Sequence, residues 1–109
     1  MTDGFKDRER GFENKWAHDA DMRFKVMARR NKLLGLWAAG EMGIKGDRAD
    51  AYAMSVVQAE FKKPGDEDVF EKVQADLAAA KRSVADRALR TKMDELLTIA
   101  GEQVMGETK

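Results

Sequence analysis

The sequence predicts an all-α protein, a four-helix bundle with a mobile N-terminal segment that continues into the first helix. Three observations lead there. One proline in 109 residues and an abundance of Ala, Leu, Met, Glu, Lys and Arg favour helix along most of the chain. Apolar residues recur at spacings of three and four, without the strict alternation of a strand. The breaks between these runs coincide with GEMGIKG at 40–46 and with Pro64-Gly65, the residues that stop helices and turn the chain.

The first helix follows from Trp16, Ala20, Phe24, Met27, Leu34 and Ala38, with Asn31 in phase, which the spacing places on one face. Gly40, Gly43 and Gly46 supply its exit. Asp47 offers an N-cap carboxylate for the second helix, whose face is Tyr52, Ala53, Val56, Val57 and Phe61. A third helix restarts at Asp66, where Glu67 and Asp68 also suit the positive end of the helix dipole, and carries Phe70, Val73, Leu77 and Ala80. No glycine or proline interrupts residues 69–100. A single helix there would run about 50 Å and leave Leu89, Met93, Leu96 and Leu97 without cover. Ser83-Val84-Ala85-Asp86 resembles a serine cap followed by an acid, so the turn into a fourth helix is placed there.

A chain of this size forms one domain and buries roughly two thirds of its unfolded surface. There are no cysteines, which rules out disulfides and thiolate metal sites. The longest uncharged stretches, Leu33 to Gly40 and Ala51 to Ala59, are far short of the roughly 20 apolar residues that span a bilayer. Early acids and no apolar stretch near the start predict no secretory signal. Basic and acidic residues balance at 20 each, which argues against a general binder of phosphate backbones. The balance is uneven along the chain: residues 1–32 hold nine basic and six acidic side chains, and residues 33–109 hold eleven and fourteen.

Most candidate sites have plain structural explanations. GEMGIKGD lacks the phosphate-loop pattern, and Asp47 and Asp50 oppose an anion, so it is read as a helix-helix turn. His18, the only histidine, cannot form a multi-histidine metal site and is read as solvated. No catalytic constellation occurs, and the chain is read as a non-enzyme with no metal site. Arg23, Lys25, Arg29 and Arg30 form a basic helix face, a secondary contact surface if it is not simply solvated by its i,i+4 acids.

FKDRERGFENKW, residues 5–16, is different in kind. On a helix Phe5, Phe12 and Trp16 fall within about 40° of one another. Glu9 shares that face, and a buried carboxylate without a partner is costly, so the face suits the protein's own core poorly. Gly11 costs about 1 kcal/mol relative to alanine in a helix that is already marginal for its length. Such a segment folds best on a partner, with Phe5, Phe12 and Trp16 as anchors and Arg8 and Glu9 setting register.

WAHDADMRFKVMARRNKLLGLWAAGEMG and DAYAMSVVQAEFKKPGDEDVFEKVQADL resemble the zeta subunit of the F-type ATP synthase of alphaproteobacteria, over nearly the whole chain. The resemblance implies a four-helix bundle, residues 19–109, behind a mobile inhibitory segment, residues 1–18. In that family the segment enters the catalytic head and blocks ATP hydrolysis. The segment is also similar to the inhibitory stretch of the unrelated mitochondrial ATPase inhibitor protein, at Phe5, Arg8, Glu9, Glu13, Lys15 and Trp16. Gly11 and Phe12 depart from that second pattern.

The expectation is thus a regulator of ATP hydrolysis whose N-terminal segment becomes helical between catalytic and non-catalytic head subunits, beside the rotating shaft. About 18 helical residues reach about 27 Å. The resemblance implies a cytoplasmic protein, peripheral to the inner membrane through the synthase head and monomeric when not bound. It requires no cofactor, with weak adenine nucleotide binding left open. Two other readings stay open on the residues alone: a helical adaptor or nucleic-acid module using the basic face, and a nucleotide-binding helical domain.

Overall fold

The structure is a computed structural model that describes residue 16, residues 18–62 and residues 66–107, with the side chains of 61 and 62 excepted. Four helices follow in order, α1 (Ala20–Glu41), α2 (Asp47–Lys62), α3 (Asp66–Ala79) and α4 (Asp86–Glu107). The all-α, four-helix expectation holds, including the turn that divides residues 69–100. The N-terminal segment up to residue 15 lies outside the described residues, as do Pro64 and Gly65.

α1 begins at a defined cap. Asp19 is extended, at φ −109° and ψ 117°, and its carboxylate accepts a hydrogen bond from the Met22 N–H at 3.1 Å. That satisfies one of the amides that a helix start leaves without a partner. The extended residue also separates α1 from Trp16, so the two do not share one helical phase. The exit of α1 is a Schellman turn: Ile44 N–H bonds Ala39 O at 2.8 Å, Gly43 N–H bonds Gly40 O at 3.2 Å, and Gly43 takes φ 75°.

The same motif ends α3, from Arg82 N–H to Leu77 O and from Lys81 N–H to Ala78 O, both 2.9 Å. Here the left-handed position is held by Lys81 at φ 61° rather than by glycine. This explains how the chain turns without a glycine signal. Two caps read from sequence are displaced. Gly46, whose carbonyl accepts from Ala49 and Asp50, precedes α2, and Asp47 is its first helical residue. Ala85, whose carbonyl accepts from Leu89 at 3.0 Å, precedes α4, so Ser83 is not its cap. Asp86 instead accepts a hydrogen bond from the Gln74 side chain, tying the start of α4 to α3.

The buried face of α1 differs from the expected stripe. Leu34, Ala38 and Asn31 are buried, but Ala20 is exposed, Met27 is half-buried and Phe24 is 57% exposed. Val26, Arg30, Gly35 and Ala39 are buried instead. α1 packs against α2, α3 and α4, and a helix covered from several sides has no single apolar stripe. Ala80 of the expected third stripe is likewise exposed, because the helix has already ended.

The larger core cluster takes Leu34 and Ala38 from α1, Val56 from α2, Val69, Val73 and Leu77 from α3, and Leu89 and Met93 from α4. Gly35 lets α1 approach α2 closely: a Cβ there would meet the Ala53 Cα at 2.5 Å. A smaller cluster joins Trp16, Val26, Ala100 and Val104.

Candidate functional site

Of the residues expected to act on a partner, Phe5, Arg8, Glu9, Phe12, Glu13 and Lys15 lie outside the described residues. Trp16 is the one the structure places. It is 6% exposed, packed against Val26 of α1 and Ala100 and Val104 of α4. Its backbone carbonyl accepts from the Asp19 N–H at 3.2 Å, while the indole Nε1 has no hydrogen-bond partner among the described residues. The residue is therefore held by apolar contact rather than by its polar edge. His18 is exposed, as expected for a solvated side chain.

The four basic residues of the expected secondary surface do not share one environment. Arg23 and Lys25 are exposed. Arg29 reaches across to α4, donating to Gln103 Oε1 at 2.8 Å and to Glu107 Oε1 at 2.9 Å. Arg30 turns inward and is 1% exposed. Its Nε donates to Asn31 Oδ1 at 2.7 Å and its Nη2 to Asp66 Oδ1 at 2.8 Å, while Asn31 Nδ2 donates to Glu60 Oε1 at 3.1 Å. This network joins α1 to the end of α2 and the start of α3. A guanidinium without water must find such partners, and Arg30 is thus a structural residue rather than part of the basic face.

A second polar junction lies between α2 and α3. The Tyr52 hydroxyl donates to Asp76 Oδ2 at 2.8 Å, and Lys72 Nζ contacts the same oxygen at 2.9 Å. Burial, and then the Asp76 carboxylate as hydrogen-bond acceptor and as negative charge, push the Tyr52 hydroxyl well above the usual phenol range. It stays a donor throughout the physiological range and serves packing. Among the described residues no group of three or more His, Cys, Asp or Glu could hold a metal ion. No helix among them is long and apolar enough to cross a membrane.

What sequence reasoning missed is an open groove along α1. Phe24 and Ala28 meet Met54 and Val57 of α2 and Val104 of α4 around a volume of about 530 Å³, with Lys25 and Lys32 at its edge. Met54 is 54% exposed. The signal available was Met54 itself, an apolar residue outside the stripe of α2. Phe24 fits the core face of α1 by spacing alone, yet it is 57% exposed.

Comparison with known proteins gives the context for these features. No curated protein matches the chain. A protein whose structure was solved in solution by NMR is 45% identical, with a TM-score of 0.70; the match covers 79% of this chain and 98% of that one. The family described as ATPase inhibitor subunit zeta matches residues 1–103. That span takes in the N-terminal segment, all of α1 to α3 and most of α4, and the chain belongs to the ATPase inhibitor subunit zeta family, inhibitor subunits of the ATP synthase rather than enzymes.

Proposed function

We propose that this protein inhibits ATP hydrolysis by the F-type ATP synthase by inserting residues 1–18 as a helix into the catalytic head. The observation that carries the proposal is the family match from residue 1, which includes the segment as well as the bundle. Phe5 and Phe12 anchor the segment in the head through apolar contact, Trp16 holds its base against the bundle, and Arg8, Glu9, Glu13 and Lys15 fix its register by charged hydrogen bonds. It enters between a catalytic and a non-catalytic subunit beside the shaft, where it obstructs the conformational cycle. Residues 19–109 stay outside as a docking body and hold the protein at the membrane periphery through the head.

Such a segment pays for ordering only when it binds, so its apolar anchors must be exposed to the partner first. Trp16 is the exception, since the bundle already buries it. The test is deletion of residues 2–15, which leaves Trp16 in place. The truncated protein keeps its thermal midpoint and loses inhibition of the matching synthase by at least tenfold. Undiminished inhibition by a folded truncated protein overturns the proposal.

A further inference from the structure

We propose that the groove between α1, α2 and α4 is a second contact site, which seats an apolar ridge flanked by carboxylates on the synthase head. The inference rests on the inhibitor reading above. Its floor is apolar, formed by Ala28, Val57 and Val104, and Phe24 and Met54 stand at its mouth more than half exposed. Next to it, sharing Phe24, Ala28 and Val57, lies a smaller pocket of about 110 Å³ that Met27, Asn31 and Glu60 also line, large enough for one apolar side chain. Exposed apolar surface framed by charge is the pattern of an interaction site.

Charge selects the partner. Lys25 and Lys32 are exposed at the edge of the groove. Glu107 is paired with Arg29, while Glu60, which accepts a hydrogen bond from the neutral Asn31 amide, keeps its charge at the adjoining pocket rather than at the rim. The rim therefore presents positive charge, and an acidic counterpart gains both encounter rate and register from it.

Position selects the same partner. Val104 belongs to the groove and to the cluster that holds Trp16. The groove thus lies beside Trp16, the described residue that follows the segment 1–15 in the chain. Fifteen residues extend about 22 Å as a helix, so a body tethered by an inserted segment of that length stays against the head.

The test uses the full chain with Met54→Glu and, separately, with the pair Lys25→Glu and Lys32→Glu, titrated against the soluble catalytic head of the matching synthase. All three substitutions are at exposed positions, and melting curves check that the fold is unchanged. Each variant is expected to need at least tenfold more protein for half-inhibition, and the charge-reversed pair to lose most of the wild-type salt dependence. Intact protein that inhibits, with variants that inhibit equally, overturns the groove and leaves the inhibitor reading standing. Intact protein that neither binds nor inhibits overturns the inhibitor reading itself. Tighter binding by Met54→Glu overturns the proposal in favour of a groove occupied by the chain's own residues 1–15. Conversion of a dimer to a monomer with unchanged inhibition overturns it in favour of a second copy.

Discussion

The two core clusters are built differently. The larger takes side chains from all four helices and is bordered by the Arg30–Asn31–Asp66–Glu60 network. The smaller joins only the first turns of α1 to the last turns of α4, and one of its four buried members, Trp16, comes from outside both helices. Removing any one element from the larger cluster exposes the others. Removing Trp16 from the smaller uncovers one end of an otherwise closed bundle. The body's stability and the attachment of the N-terminal segment are thus held by separate sets of contacts, with α1 running through both.

The largest test of that separation is Arg30→Ala. It removes a buried side chain, its bond to Asp66 of α3 and the bond that orients Asn31 toward Glu60 of α2. Asp66 has a half-exposed side chain, so water takes up its charge and the loss is about 3 kcal/mol rather than the upper end for broken buried pairs. Urea unfolding measures it, and a loss below 1 kcal/mol means that the network does not hold the larger region together.

Gly35→Ala is next. The added methyl meets backbone of α2, which cannot rotate away, and overpacking costs about 2 kcal/mol, partly offset by about 1 kcal/mol of helix propensity. Gly40→Ala has open space around it and is expected to be neutral or slightly stabilising. Equal thermal shifts for the two variants remove the close approach of α1 and α2 as a determinant.

Trp16→Phe has the smallest effect on the whole fold. Among the described residues the indole N–H has no acceptor to lose, so the cost is about 1 kcal/mol. It is confined to the smaller cluster, seen as faster amide exchange near Ala100 and Val104 without matching change near Val73 and Leu89. Uniform acceleration merges the two regions into one cooperative unit.

Helix number, order and most breaks were legible in the sequence because glycine, proline and acidic first turns act locally. The α3–α4 break was legible from the lack of cover for Leu89, Met93, Leu96 and Leu97 and was placed by Ser83-Val84-Ala85-Asp86, without a glycine signal, since a lysine holds the left-handed position there. The phase of α1 was not legible. Trp16 and Phe24 fit one stripe by spacing, but the extended Asp19 lies between Trp16 and the helix, and cover from three sides blurs the periodicity. Arg30 read as surface because it sits among basic residues, and only tertiary contact turns it inward. The partner-binding segment was visible as composition, with aromatics and charges on one face. The groove was not, because it is made by residues from three helices.

The Asp19 cap also gives the molecule its mechanical character. One hydrogen bond, worth about 1 kcal/mol, separates the extended residue from the helix it starts, whereas a bend within α1 breaks the packing of a buried core. Under load from a moving partner, the joint turns only once Trp16 leaves its cluster with Val26, Ala100 and Val104, so that cluster yields before the larger core does. The bundle can be tugged and swung without the strain reaching Leu34 or Arg30.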